Sequence, residues 1–372
     1  MAYVATKGGE QAIDQSERFY HALKGNVTLE AVQTVLETMP YLVDRVLGEG
    51  SLYAPELAAL ALVQSGGDLY EAVLLLRAYR STQPRIAYAQ PITTERMTTI
   101  RRISAAFKDI PGGQILGPSL DYSHRILRTD VLEGGAVEPT PAVDLADQPA
   151  PRSYPLVADW ERENRLLVQI PRANNPTNPS DIPDVTRDPI TMPAPRAHRL
   201  QALARAETGG VLALGYAGMR GYGFTHPTVN ELRLAYADLE MVHPISGEPF
   251  GVGRFRMSQA EIISSGGGGG VGYKLGYTAT MGWNEVKLIA GATLDMEMNQ
   301  AEPHPAHTED FVLYHTESVE ASGFCIHFKL PHYVTFASGM DSIRKVIQAE
   351  YPASKEGYTS PEPSESTKMV TA

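Results

Sequence analysis

The stretch Gly323-Phe324-Cys325-Ile326-His327-Phe328-Lys329-Leu330-Pro331-His332-Tyr333-Val334-Thr335-Phe336 decides how the C-terminal half is read. As a strand, period-two alternation sets Phe324, Ile326, Phe328 and Leu330 on one face and Cys325, His327 and Lys329 on the other. Pro331 cannot donate to a ladder, so the strand should stop or become an edge there. Residues five apart on an unbroken strand point to opposite faces, and the Pro turn is what brings His332 back beside His327. Two imidazoles are too few to close a structural zinc site, which takes four ligands. They suit an open site completed by substrate, water or a partner chain. The plainer reading is an edge strand whose His side chains hydrogen-bond to backbone.

Working outward, the chain is long enough for roughly two domains. Its 32 Lys and Arg against 43 Asp and Glu give a formal charge of −11, which argues against broad binding to nucleic acid or an anionic membrane. A local basic pocket for a small anion stays open. The single cysteine, Cys325, forbids an intrachain disulfide and fits a reducing compartment. The start lacks the apolar core of a signal peptide, and no run reaches the ~18 apolar residues of a membrane span. The expectation is a soluble, cytoplasmic protein.

The first third reads as helices. Tyr3–Thr6 is a short apolar run, and Lys7-Gly8-Gly9-Glu10 opens a helix with Ile13, Tyr20 and Leu23 on one side and Gly25 at its end. This opening is either a backbone anion site aided by Lys7 or a simple turn. Thr28 caps a helix through Met39, Pro40 starts another to Gly48, Pro55–Gln64 is a third, and Asp68 caps Leu69–Arg80. Thr94–Ile110 is patterned as a helix, with Ile100, Ile103, Phe107 and Ile110 in one stripe and Arg101 and Lys108 on its flank. After the Pro111-Gly112-Gly113 break, Asp121-Tyr122-Ser123-His124-Arg125 gathers polar and aromatic groups.

Residues 133–195 are dense in proline and read as an extended connection with a short ordered piece at Trp160–Ile170. The remainder turns β-rich. Val211–Tyr216 is a strand, and the Gly218–Pro227 loop carries Arg220 and His226. Further strands cover Leu232–Tyr236, Arg254–Ile263 and Tyr273–Thr280. Gly266–Gly270 is either a flexible loop or a phosphate cradle. Asn284 caps a helix to about Met298, whose methionines belong to the core. Pro303-His304-Pro305-Ala306-His307 is a loop with little claim to a metal. Thr308 caps Glu309–Ala321, and Asp341–Glu350 is a last short helix. The fold class is α+β, with a helical domain over 1–132, an extended Pro-rich connection over 133–198, an α+β domain of antiparallel strands and helices over 199–350, and a disordered tail over 351–372.

Several of these motifs resemble the PhnI family of subunits of the bacterial carbon–phosphorus lyase complex. They are Lys7-Gly8-Gly9-Glu10, Arg101-Arg102-Ile103-Ser104-Ala105 with Lys108-Asp109-Ile110-Pro111-Gly112-Gly113, Asp121-Tyr122 with His124-Arg125, Arg220-Gly221-Tyr222-Gly223 with His226-Pro227, and Lys329-Leu330-Pro331-His332-Tyr333-Val334. The likeness runs in order through residues 1–336; the Pro-rich connection matches it poorly, and the five-glycine run is not part of it. It implies phosphonate breakdown, with companion subunits PhnG, PhnH and PhnJ. The reaction implied is displacement of adenine from Mg-ATP by methylphosphonate, giving α-D-ribose 1-methylphosphonate 5-triphosphate. It also implies zinc at a shared subunit interface, on His327 and His332.

Such a displacement passes through an oxocarbenium-like state, so it needs an acid for the departing purine, negative charge near the sugar and cations on the phosphates. His124 and His226 are candidates for the proton donor, because imidazole titrates near neutral pH, and Asp121 for steadying the cation. Lys7, Arg101, Lys108, Arg125, Arg220 and Lys329 are candidates for binding substrate. Two other readings compete: a stand-alone purine nucleosidase and a non-catalytic scaffold. With no three-cysteine cluster in the chain, the iron–sulfur radical step lies elsewhere.

Overall fold

The computed structural model describes residues 9–135, 154–168, 181–222, 226–265, 271–330 and 332–350. Among them the architecture is α+β, with twelve α-helices and one four-stranded antiparallel sheet. The chain divides into two compact units, Phe19–Ser322 and Met1–Arg18 with Gly323–Ala372. Residues 1–8, the five-glycine run and the tail lie outside the described residues, and so do the strand expected at Tyr3–Thr6 and the Lys7 site.

The early helices form where local signals put them. After α1, Gly9–Lys24, Gly25 takes φ +78°. The Thr28 hydroxyl accepts from the Ala31 N–H at the start of α2, Leu29–Thr38. Pro40 and Pro55 occupy the first turns of α3, Pro40–Gly50, and α4, Pro55–Gln64, where a missing N–H costs nothing. The Asp68 carboxylate caps α5, Leu69–Ser81. Val43, Val46, Leu47, Leu62, Val73 and Leu76 form the core that α2–α5 enclose. No single helix among the described residues is long and apolar enough to cross a membrane.

The sheet runs in the order β1, Met97–Ile103; β2, Thr228–Val242; β3, Pro249–Ser265; and β4, Tyr273–Met281. Its first strand corrects the helix expected over Thr94–Ile110: only Thr94–Arg96 makes a helical turn, of 3-10 type. Met97-Thr98-Thr99-Ile100 is rich in β-branched residues, which suit a pleated surface. The strand pairs Arg101 with Leu234 and Ile103 with Leu232. Arg101 and Lys108 therefore share no helix flank.

One sheet face is apolar. Leu232, Ala260 and Ile262 pack on Leu288, Ala292 and Met296 of α9, Glu285–Met298, which the Asn284 side chain caps. The approach is close because of Gly276, where a methyl group would stand 1.9 Å from the Ala292 carbonyl oxygen. On the opposite face, Arg102, Glu231, Arg233 and Glu261 are buried under α6, Val157–Glu163, which begins near the expected ordered piece. The Val157 and Ala158 N–H groups donate to Glu231 and Glu261 at 3.0 and 3.1 Å.

After α7, Arg196–Arg205, the run Val211–Tyr216 corrects from strand to helix as part of α8, Thr208–Ala217. Glu207 sets this: its carboxylate accepts from the Gly209 and Gly210 N–H groups and starts the helix. An apolar run of six residues is too short to declare its period.

The helix expected over Glu309–Ala321 is two. α10, Glu309–His315, ends where the Thr316 hydroxyl donates to the Val312 carbonyl, and α11, Ser318–His327, follows. The Gly323–Leu330 strand is thus corrected: Gly323 lies inside α11, and the helix closes with turns from Phe328, Lys329 and Leu330 N–H groups to Cys325, Ile326 and His327 carbonyls. Among the described residues no strand lies beside this stretch, so its backbone groups pair locally. Alternating Phe324, Ile326, Phe328 and Leu330 all stay exposed, and Phe324 and Phe328 meet edge-on at helical i, i+4 spacing. The last helix, α12, starts at Tyr333 rather than Asp341 and runs to Glu350.

Candidate functional site

The helical turn after α11 brings His332 beside His327, as the Pro turn was expected to, on a different backbone. Their Nε2 atoms are 3.3 Å apart and their rings stand at 85°. His332 Nδ1 lies 2.5 Å from the Leu330 carbonyl oxygen, so Nδ1–H donates there and Nε2 keeps its lone pair. Left to themselves, His327 Nε2–H donates to His332 Nε2. Two nitrogens bound to one zinc at ~2.0–2.1 Å and a tetrahedral angle would also lie about 3.3 Å apart. The spacing therefore fits a metal held by both, with the remaining positions open. No third His, Cys, Asp or Glu joins them among the described residues. Lys329 and Cys325 are exposed nearby in sequence.

The Asp121–Arg125 cluster is built around Arg101. This side chain is only 1% exposed, yet its guanidinium reaches three partners: the Leu116 carbonyl at 2.5 Å, Asp121 at 2.7 Å, and Glu285 in an ion pair at 2.6 Å. Burial pushes the Glu285 carboxyl above its ordinary range, against the pull of Arg101. With its two terminal nitrogens bonded to Leu116 and Asp121 and its Nε ion-paired with Glu285, Arg101 is a strut for Asp121 more than a free cation. Arg125 sits in the left-handed region at φ +51°, 69% exposed, 3.9 Å from the same Asp121 carboxylate. His124 and Lys108 are exposed. Arg220 lies in the turn after α8 and donates to the Tyr216 hydroxyl at 2.6 Å, and His226 is exposed at the foot of β2. The structure thus gathers Arg101, Asp121 and Arg125 directly, with His124 in the same turn.

Two groups of residues gave no sequence signal. In one, under α6, Asn230 Nδ2 donates to both Glu161 (2.7 Å) and Glu261 (3.1 Å). Burial, with help from Glu231, pushes the Glu261 carboxyl up to about 8, and burial pushes Glu161 up to about 7. In the other, Arg85 and Arg205 line a cavity of about 520 Å³. Both groups draw on residues far apart in the chain, which no local spacing reveals.

Comparison with known proteins agrees over nearly the whole length. The family model for the bacterial phosphonate metabolism protein PhnI matches residues 2–350. HtxH of Stutzerimonas stutzeri is 43% identical over 365 residues, covering 92% of this chain and 95% of the relative. The alpha-D-ribose 1-methylphosphonate 5-triphosphate synthase subunit PhnI of Escherichia coli (strain K12) is 38% identical, covering 94% of this chain and 99% of its own. Its namesake from Rhizobium meliloti (strain 1021) is 36% identical, over 95% and 97%.

Proposed function

The chain belongs to the PhnI family of bacterial phosphonate metabolism proteins, and from that premise we propose that it works as a subunit of the carbon–phosphorus lyase complex, displacing adenine from Mg-ATP with methylphosphonate. The product is α-D-ribose 1-methylphosphonate 5-triphosphate. The observation that carries the reading is similarity across almost the entire length to two proteins named as subunits of that synthase.

In the step proposed, a methylphosphonate oxygen bonds to the anomeric carbon as the bond to the purine nitrogen breaks. The electron pair leaves with adenine, and a proton from His124 or His226 neutralises it. Asp121, held by Arg101, faces the developing sugar cation. Lys7, Lys108, Arg125 and Arg220 supply positive charge for phosphates and phosphonate, and orient the nucleophile. His327 and His332 would hold zinc through their Nε2 atoms, the Leu330 carbonyl fixing the tautomer of His332. Bound there, zinc would supply a Lewis acid or template for an anionic oxygen. Lys329 adds a cation beside the pair. The companions are PhnG, PhnH and PhnJ, and the setting is the cytoplasm, which provides ATP and keeps Cys325 reduced.

The test is incubation of the chain, alone and with those companions, with Mg-ATP in the presence and absence of methylphosphonate, following adenine and ribosyl products by mass spectrometry. Adenine release that requires methylphosphonate and yields the ribosyl phosphonate supports the transfer. Equal release without phosphonate makes the chain a nucleosidase. No release from an assembled complex leaves it a scaffold.

A further inference from the structure

The 520 Å³ cavity lies within the unit Phe19–Ser322, walled by the end of α3, α7, the middle of β3, the end of β4, Arg85 and Tyr88, and the 182–186 loop. Its size is in the range of small-molecule sites, about 300–1,000 Å³. Phe255, Met257, Met281 and Tyr88 give it apolar and aromatic surface. Its charged lining residues are two arginines, Arg85 and Arg205, and one aspartate, Asp184.

Behind the lining the positive charge deepens. Arg77 and Arg205 share one carboxylate, Glu317. Arg80 has no carboxylate at ion-pair distance among the described residues, and its Nε is buried without an acceptor, as is the Nε of Arg205. Burial, and then repulsion from Arg205 and Arg77, lowers the Arg80 guanidinium from its ordinary value. Four guanidiniums thus crowd around the carboxylates of Glu317 and Asp184, with Glu49 also acting on Arg77, and an anion would relieve the repulsion among the cations. Arg85 already adapts to two partners, pairing with Asp184 at 2.5 Å while lying 5.1 Å from the Tyr88 ring centre.

We propose that this cavity holds a nucleoside triphosphate at a site of its own, apart from the Asp121 cluster, with the flat base against the Phe255, Met257 and Tyr88 surface and the phosphates on Arg85 and Arg205 of the lining, backed by the charge of Arg80. Guanidiniums match phosphate oxygens in a planar fork, and the aromatic–methionine wall suits a purine face. The identity of the nucleotide as ATP rests on the transfer reading above; the anion-plus-ring chemistry does not.

The test uses the wild-type full chain, alone and co-purified with its companions, photolabelled with 8-azido-ATP and mapped by mass spectrometry. Label is expected on the peptides holding Tyr88 or Phe255, competed by ATP and only weakly by adenosine. Calorimetry with ATP should then show Arg85→Ala weakening binding about tenfold, the loss of one charged hydrogen bond, and Arg80→Ala weakening it by less, the loss of a cation behind the lining. Phe255→Ala should weaken ATP and adenosine while leaving inorganic triphosphate unchanged. Label confined to other segments, unchanged ATP affinity in folded Arg80→Ala and Arg85→Ala proteins, or no ATP binding in either preparation overturns the proposal. Should the variants fail to fold, the wild-type labelling decides. Adenine release with label elsewhere sinks the cavity and spares the transfer; a labelled cavity without adenine release does the reverse.

Discussion

His332 faces His327 with its Nε2 because its Nδ1 is committed to the Leu330 carbonyl, and the two Nε2 atoms stand 3.3 Å apart. Each imidazole therefore contributes one aimed lone pair or proton, and neither alone makes a chelate. Replacing either by Ala should reduce bound zinc from about one per chain to near zero, measured by elemental mass spectrometry after dialysis against trace zinc. Circular dichroism should not change, since both rings lie at the surface of a helical turn. Full zinc retention in both variants would remove the metal from this pair.

Arg101 should be structural before it is anything else. Arg101→Met keeps much of the volume but strands Glu285 and Asp121 without their partner. Breaking a buried pair costs about 3–5 kcal/mol, and because Asp121 is half exposed we expect on the order of 2–3 kcal/mol in urea unfolding. Adding Glu285→Gln should recover part of that loss. A single Arg101→Met substitution that leaves the unfolding midpoint unchanged contradicts this role.

Glu261 gives a pH signature. Its folded-state carboxyl is pushed up to about 8 by burial and by Glu231, above the unfolded value of 4.5. The native state therefore holds a proton that the unfolded chain releases, so this contribution is intact below about pH 4.5 and is lost as pH rises through about 8. Glu261→Gln keeps an oxygen for the Ala158 N–H. It should match the parent protein near pH 5 and exceed it near pH 8.5, by on the order of 2 kcal/mol. Parallel stability curves for the two proteins across that interval would reject the assignment.

Gly276 sets the distance between β4 and α9. Gly276→Ala would drive a methyl into the Ala292 carbonyl oxygen and the Met296 side chain. Overpacking of this kind costs about 1–3 kcal/mol or more, and here backbone must move. A clear drop in melting temperature is expected, with Gly323→Ala, whose added methyl meets open space, as the silent control.

What could be read from residues alone follows from how local each cause is. Thr28, Pro40, Pro55 and Asp68 bound their helices because capping and proline geometry act within one turn. The paired strands Thr228–Val242, Pro249–Ser265 and Tyr273–Met281 were legible in outline through alternation. The Thr94–Ile110 stripe misled because its apolar spacing satisfies a helix, whereas the partner that makes it a strand is Leu234 and its neighbours, remote in sequence. The Phe324–Leu330 alternation misled in the opposite direction: a perfect strand pattern yields a helix where no neighbouring strand offers hydrogen bonds. The approach of His327 and His332 holds on either backbone, because it depends on the chain turning after His327 and not on the element before it. Arg85, Arg205 and the Glu161–Asn230–Glu261 group were invisible, since tertiary packing alone assembles them.

The edge strand Met97–Ile103 has a consequence for biogenesis. It leaves the ribosome well before Thr228–Val242, the segment it zips against. Until that segment arrives, Arg101 and Arg102 have neither Glu285 nor Glu231 to answer them, and the nascent chain must carry two solvated cations where the finished protein buries both. A stop codon between β1 and β2 therefore yields a product with the helical segments and an orphaned ribbon, open to capture by chaperones or proteases.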